Sequence, residues 1–443
     1  MSSDLKPELR LDQLVDISTV VSDRRDFHKH AETGWTEFRT ASLIARRLTD
    51  LGLVVAVGED VIAADARMGV PAPNILAAHW DRARRQGGDP EFLEAVKDGF
   101  TGVVARLGDG SGPTIGLRFD IDAVDVEESH AETHRPVREE FASVNPGAAH
   151  ACGHDGHAAI GLAVARALVE LRDELTGTVK LIFQPAEEGV RGAKSMVAAG
   201  VVDDVDLLLG LHLYSGWKLG QVAAGKSGYM ATTKFDAQIT GKPAHAGGAP
   251  QNGKNAMLAA ATAVLNLHAI PRHRAGPTRI NVGRLVSGQG RNVISPSAHL
   301  VLETRGATRE LNQYMYAAAM RVLKAAAAMY DCELKVRGMG SAQSADSDPI
   351  LAGRVSEVAA QIDDLSIRLP EAGGGGSEDY TYMMRRVQEH GGLATAIGFG
   401  ANLGDWGHHT AEFDFDERAL PLAASLLVRT VFHLQANPPA APS

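Results

Sequence analysis

Apolar and polar residues follow two different periods along this 443-residue chain, and the changes of period divide it. From residue 22 to 53 the apolar positions recur at helical spacing. Leu43, Ile44, Leu48 and Leu51 share a face and Gly52 stands where a C′ residue would, so the pattern predicts one long helix. Residues 74 to 98 carry Arg82, Arg84, Arg85, Glu91 and Glu94, a charged pattern that predicts an inserted, solvent-facing helical excursion. Short apolar runs then alternate with helical stretches. Strands are predicted over 114–119, 178–183 and 205–211, and helices over 157–171 and 193–199. Strand, helix, strand, helix, strand requires crossover connections and hence a parallel sheet.

The rhythm changes at residue 228. Phe235, Ala237 and Ile239 alternate with polar neighbours, the signature of a half-buried strand over 233–240. A helix over 253–269, strands over 278–286 and 298–304, a helix over 309–330 and a strand over 332–336 follow. This β-α-β-β-α-β order is the ferredoxin-like arrangement. The expected fold class is therefore α/β. A central, mostly parallel sheet flanked by helices occupies 1–227 and 341–443, and an inserted α+β ferredoxin-like domain occupies 228–340.

Composition narrows the function. An apolar fraction of 44% and a charged fraction of 22% are ordinary for a globular protein. The net charge, 44 − 54 = −10, offers no basic footprint for nucleic acid. Two cysteines build no disulfide framework and suit a reducing cytoplasm. The opening Met-Ser-Ser-Asp has no apolar segment of the signal-peptide kind, and no run is expected to be long and apolar enough to span a bilayer. The partners expected are a small molecule, and neither nucleic acid nor a bilayer.

The chemistry concentrates in residues 150 to 157, His-Ala-Cys-Gly-His-Asp-Gly-His. Cys152 and His154, two residues apart, can supply two metal ligands from one turn. The bland reading is a structural cysteine among ordinary histidines. Five donor side chains in eight positions ahead of a helix favour metal. Glu187 and Glu188 follow a predicted strand. Neighbours in an extended segment point oppositely, so one carboxylate can bind metal while the other serves as base. Asp120, Asp122 and His212 also stand at predicted strand ends, and ligands of parallel sheets gather at that rim. His408 and His409 are both candidates. Gly373 to Gly376 reads as a loop whose amides, Gly375 among them, could meet a carboxylate. It lacks the context of a phosphate cradle. In the inserted domain His245, Asn292 and Arg305 stand out, the last as a bidentate partner for a carboxylate.

Six segments occur in a telling order: His150–His157, Gln184-Pro-Ala-Glu-Glu-Gly189, Gly210-Leu-His212, Ala244-His-Ala-Gly247, Gly290-Arg-Asn-Val293 and Gly376-Ser-Glu-Asp379. Together they resemble the di-metal aminoacylase, hippurate hydrolase and carboxypeptidase G superfamily, in its Cys-containing amidohydrolase branch. The resemblance covers nearly the whole chain. His28–Phe38, the insertion after Val61, Glu188-Gly-Val-Arg191 and Met230–Asp236 are most similar to the aminobenzoyl-glutamate hydrolases within it. Arg191 and Asp125 depart from the wider branch, which usually has Gly and Pro there, and agree with that subgroup.

The resemblance implies a di-zinc exopeptidase-like fold with the inserted domain as lid or dimerisation unit. It also implies two divalent ions, manganese or zinc, held by Cys152, His154, Glu188, His212 and a late histidine. Phe413, four positions on, selects His409 over His408. Glu187 becomes general base and acid, His245 an oxyanion donor in the partner subunit's site, and Asp122 the anchor of a ligand histidine. Asn292, Arg305 and the glycine loop would meet the substrate carboxylate, and Arg191 would favour an acidic side chain. The expected reaction is hydrolysis of p-aminobenzoyl-glutamate to p-aminobenzoate and glutamate, by a homodimer or a heterodimer with a related subunit. The rival readings are a broader N-acyl-amino-acid hydrolase, a cysteine nucleophile and a catalytically silent member of a hetero-oligomer. Retention of every ligand position speaks against silence. The cysteine reading leaves Glu187, Glu188, His212 and His409 without a role.

Overall fold

The computed structural model describes residues 15–108, 110–369, 376–402 and 406–439. It divides into two compact units, one of residues 1–227, 345–372 and 382–443, the other of 228–344 and 373–381.

The first unit is built on eight strands: β1 (Val54–Val57), β2 (Val103–Gly108), β3 (Thr114–Asp120), β4 (Thr178–Gln184), β5 (Leu207–Tyr214), β6 (Gln221–Ala224), β11 (Ser366–Ile367) and β12 (Leu393–Gly400). They form one sheet of order β1-β2-β4-β3-β5-β12-β6-β11. The four central strands β4-β3-β5-β12 are parallel, whereas β1, β2 and β6 join antiparallel. β4 and the first part of β5 are buried throughout, as strands covered on both faces must be. The helix His154–Glu170 fills one face with Ala158, Ile160, Leu162, Val164 and Leu168. Gly161 sits against the rings of Phe119 and Phe183, where a Cβ would come within 2.6 Å of Phe183.

The long helix expected over 22–53 is two helices, Ile17–Lys29 and Phe38–Asp50. Between them Trp35 adopts φ +69, which a helix cannot accommodate. Glu32 lies fully buried and accepts the Arg39 and Thr40 amides, so the second helix starts on a capping carboxylate. The 74–98 excursion is helical over Pro73–Arg85 and Pro90–Ala95 but faces solvent on one side only. Leu76, Ala83, Leu93 and Val96 are buried in the core. Among the described residues one helix, Ala419–Ala436, is long and apolar enough to cross a membrane, contrary to expectation, with mean hydropathy 1.3 over 18 residues. It packs into the core through Leu420, Leu427, Val431 and Leu434, which accounts for its composition.

The second unit holds β7 (Ala231–Thr240), β8 (Thr278–Ser287), β9 (Ser297–Gly306) and β10 (Glu333–Ala342), paired as an antiparallel sheet of order β10-β7-β9-β8. The helices Ala256–His268 and Arg309–Met329 pack on it through Ala259, Ala263, Leu267, Met315, Ala319 and Leu323, against Phe235, Ile239, Leu300 and Leu302. Element order and strand order together are ferredoxin-like.

Candidate metal centre

All four parallel central strands end at one edge, and each delivers chemistry there. β3 leads to Asp120 and Asp122, β4 to Glu187 and Glu188, β5 carries His212 near its end, and β12 leads to the segment bearing His408 and His409. Cys152 and His154 arrive by another route. Gly153 between them takes φ +88 as the cap of the helix that begins at His154, and this left-handed step lets both side chains join the same cluster.

Among the described residues, sets of donor atoms that lie within 4.8 Å of one another include Cys152, His154 and His212; Cys152, Glu188 and His409; and His154, Glu187 and Glu188. Hydrogen bonding decides which ring nitrogens are free. His154 Nδ1 donates to the Asp122 carbonyl at 2.9 Å and lies 3.3 Å from the Asp122 carboxylate. His212 Nδ1 donates to the Leu213 carbonyl at 2.8 Å. Each histidine therefore turns an Nε2 lone pair inward, as ligand imidazoles do. His154 Nε2 is buried with no hydrogen-bond partner, and His212 Nε2 stands 3.6 Å from Cys152 Sγ. A buried thiol, two inward imidazoles and an adjoining carboxylate suit a divalent transition ion.

His157, in the same motif, is used differently. Its Nε2 accepts the Leu213 amide at 2.9 Å and its Nδ1 bonds the Asp120 carboxylate, so no lone pair remains. Asp120 is held by Arg118 at 2.6 Å. His150 is buried with neither ring nitrogen bonded, and burial depresses its pKa to about 3. Of the late pair, His409 Nε2 is 3.1 Å from Glu188 Oε1. Its main-chain amide bonds Ala151 at 2.7 Å, and its backbone is left-handed at φ +65. The His408 ring packs instead between His212, Tyr214 and Phe413.

Charge is finely set here. Burial opposes protonation of His154, but Asp120, Cys152 and the Asp122 hydrogen bond together raise its pKa well above the ordinary value. Burial, reinforced by His157, keeps His212 well below it. Hydrogen bonds to Cys152 and Glu188 lift His409 to about 10, while burial and neighbouring His409 take His408 down to about 4.

Glu37 and Arg24, which sequence reasoning passed over, join Asp122 and Arg191 in shaping this edge. The Asp122 carboxylate accepts the amides of both Glu187 and Glu188. Glu37 accepts the Ala186 amide at 2.7 Å, at a residue with φ +51, and the Thr101 hydroxyl. Burial and the Asp122 charge raise its pKa to about 8. Arg24, fully buried, binds Asp155, Asp414 and Glu417 at 2.8, 2.8 and 3.0 Å. It thus ties the segment carrying His154 to the one following His409. Arg191 folds back on its own loop. Its Nε donates to the Glu188 carbonyl at 2.8 Å, and its guanidinium lies against Gly34, which has no Cβ to obstruct it.

In the second unit His245 Nδ1 accepts the amides of Gly247 and Gly248 at 3.2 and 2.9 Å, so the neutral ring carries its proton on exposed Nε2. The Ala246 amide bonds the Asn292 carbonyl at 2.9 Å, placing those two segments side by side. Arg305 is not with them. It lies at the far end of β9, eight residues beyond Ser297 and so about 26 Å along the strand. There its guanidinium grips Glu303 at 3.0 and 3.1 Å. Asn292 and Arg305 therefore stand toward opposite ends of β9. Gly375 lies outside the described residues.

The profile of peptidase family M20/M25/M40 matches residues 116–433, a span that includes every donor above. The chain belongs to this family. It is a metal-dependent amide hydrolase by that membership and by its relatives. Over 412 residues it is 49% identical to an indole-3-acetyl-aspartic acid hydrolase of Enterobacter agglomerans, covering 93% of this chain and 94% of the relative. Over 413 residues it is 48% identical to a p-aminobenzoyl-glutamate hydrolase subunit of Escherichia coli, with the same coverage. The solved structure of an aminobenzoyl-glutamate utilization protein from Klebsiella pneumoniae superimposes with a TM-score of 0.84 at 42% identity, covering 98% of this chain and all of that one.

Proposed function

We propose that this family member hydrolyses the amide of N-aroyl or N-arylacetyl acidic amino acids, with p-aminobenzoyl-glutamate as its substrate and p-aminobenzoate and glutamate as products. The observation that carries this reading is Glu187, whose carboxylate joins His154 and Glu188 within 4.8 Å at the strand-end cluster. A base there reaches a water held against a substrate carbonyl.

The residues proposed to hold two divalent ions, manganese or zinc, are Cys152, His154, Glu188, His212 and His409. When bound, such ions supply Lewis-acid polarisation of the carbonyl and acidify water. Glu187 takes the proton of the attacking water and delivers it to the departing amine nitrogen. His245 donates a hydrogen bond from its Nε2–H to the oxygen on which negative charge develops. Asp122 keeps His154 and the Glu187–Glu188 amides in register. Arg191 braces the loop that presents Glu187, and through it the acidic preference. Asn292 and Arg305 act on the substrate carboxylate from two copies of the inserted domain, so the working form is a dimer, of this chain or with a related subunit. Two unpaired cysteines, Cys152 and Cys332, fit a cytoplasmic setting.

A second reading takes indole-3-acetyl-aspartate as substrate, favoured by the 49% identical relative of that name. Hydrolysis of both compounds and of N-acetylglutamate by the purified chain, loaded with manganese or zinc and then chelated, separates them. Metal-dependent release of p-aminobenzoate faster than of indole-3-acetate supports the first. The reverse order supports the second, and activity on N-acetylglutamate alone returns the enzyme to the broader N-acyl-amino-acid hydrolases.

A further inference from the structure

We infer that the cavity lined by Tyr214, Trp217, Trp406 and His408 is the subsite for the aromatic acyl half of the substrate. The inference deepens the function proposed above and depends on it for the identity of the amide.

Position comes first. Side chains two apart on a strand share a face, so Tyr214 stands beside His212 on β5. Their ring centroids are 5.0 Å apart, and the His408 ring is 5.6 Å from each. The cavity, about 370 Å³, therefore opens one ring away from the cluster that would hold the scissile carbonyl. Whatever is attached to the acyl carbon must lie about that far from the reacting atom. A second cavity, about 430 Å³, includes Leu171 in its wall, at the far end of the helix that starts at His154, some 25 Å along its axis. It has no such relation to the chemistry.

Construction comes second. Gly216 and Gly407 contribute no side chains to the lining, while Tyr214, Trp217, Trp406 and His408 contribute rings. Tyr214 stacks on Trp217 at 4.6 Å with 19° between planes. The Trp217 indole lies over Gly398 of β12, where a Cβ would come within 2.7 Å of it, so that wall has room for nothing but glycine. The Lys226 ammonium sits 3.9 Å over the Tyr214 ring and the Arg368 guanidinium 4.6 Å over Trp217. These cations are turned onto the wall, leaving an aromatic rather than a carboxylate-binding interior. Trp406 is fixed through its carbonyl, which accepts the Ser215 hydroxyl at 3.1 Å, yet its residue is 53% exposed. A large ring held at the mouth of a cavity beside a hydrolytic centre offers a stacking face for a flat ligand.

The test compares Trp406→Ala and Trp406→Phe with the parent as manganese-loaded enzymes. The substrates pair one glutamate with acetyl, benzoyl, p-aminobenzoyl and indole-3-acetyl groups, and p-aminobenzoyl with glutamate or alanine. Trp406→Ala should lower the ratio of kcat/KM for p-aminobenzoyl- over acetyl-glutamate about tenfold, the size of one aromatic contact. Trp406→Phe should restore most of it. A loss shared equally by all acyl groups would make Trp406 merely structural, and a collapse of glutamate-over-alanine preference would put the amino-acid half in the cavity. Either result overturns the assignment. Calorimetric titration of p-aminobenzoate into the same proteins decides independently of turnover. Should the parent hydrolyse no N-acyl glutamate, weaker binding to Trp406→Ala still supports the subsite while the function reading falls, and equal binding removes the subsite.

Discussion

Asp122 holds Glu188 by the backbone. One carboxylate oxygen accepts the Glu188 amide at 2.9 Å and the other accepts the Glu187 amide at 3.1 Å, while the Asp122 carbonyl receives His154 Nδ1. One residue two positions beyond β3 thereby sets the loop after β4 and the first ring of the helix on the sheet's face. Replacing Asp122 by Asn would point an NH2 group at a backbone donor. We expect Asp122→Asn to weaken metal binding about 10–100-fold, as loss of partners behind metal ligands does. Equilibrium dialysis with elemental analysis reads this, and undiminished affinity would leave Asp122 with no part in shaping the centre.

Glu187→Gln should behave differently. The substitution is isosteric and removes only the capacity to carry a proton, so metal content should stay within error of the parent while kcat falls about 10²–10⁴-fold. Parent-like turnover would remove Glu187 from the role of base. Loss of metal without loss of fold would make it a ligand instead.

The strand-end rim was legible because β3, β4 and β5 are buried on both faces and so read as plain apolar runs that stop where the chemistry begins. Local motif spacing could not separate His154 from His157. The difference lies in what each Nδ1 and Nε2 touches, Asp122 in one case and Asp120 with Leu213 in the other. Nor could it show that helical spacing breaks at Gly34-Trp35, because a left-handed backbone at Trp35 is imposed by packing around it. Glu37 and Arg24 carried no local signal, since the Ala186 amide that Glu37 accepts and the Asp155 carboxylate that Arg24 binds lie 149 and 131 positions away. The resemblance sends Asn292 and Arg305 to one substrate carboxylate, and only the extended run of β9 reveals that they stand toward opposite ends of a strand. Tyr214 was within reach of sequence reasoning, since alternation beyond His212 puts it on the same face.

The Arg24 network makes stability depend on pH. His28 is buried between Asp155 and Glu128, 2.8 Å from each, with Arg24 and His150 the other titratable groups at its ring. Burial alone would lower its pKa, but the two carboxylates outweigh it and hold it at about 9 against an ordinary 6.5. Below pH 6.5 folded and unfolded chains both carry the proton, and the stabilisation is fully present. As pH rises through 9 the folded chain alone must give the proton up, and the stabilisation is lost. The shift corresponds to on the order of 3 kcal/mol. Denaturant unfolding from pH 6 to 10 should show this decline, and His28→Gln should flatten it. An identical slope in that variant would assign the decline to other groups.

Arg24 itself should be less replaceable. Arg24→Met would leave Asp155 to His28 and Asp414 to Arg135 alone, with a loss of up to about 3–5 kcal/mol for a broken buried pair. Arg24→Lys retains charge but not the three-way fork, and should fall between. Thermal unfolding ranks the variants, and a lysine variant as stable as the parent would show that charge alone suffices.

The separation of Asn292 from Arg305 along β9 leads to a test of whether active sites are shared. Within one inserted domain His245 and Asn292 sit at the end where β9 begins and Arg305 where it finishes. If one site draws on both ends, it draws on two copies. Glu187→Gln and His245→Ala should each be nearly inactive alone, the latter with normal metal content. Mixed in equal amounts after dissociation and reassociation, half of the dimers pair one of each, and each such dimer contains one site with Glu187 and His245 both intact. About a quarter of all sites should then work, as twofold symmetry requires. Recovered p-aminobenzoate release near that fraction would establish that His245 acts across the interface. No recovery from mixtures proven to contain the hybrid would confine His245 to its own protomer, and Asn292 and Arg305 would then have to serve different ends of the substrate.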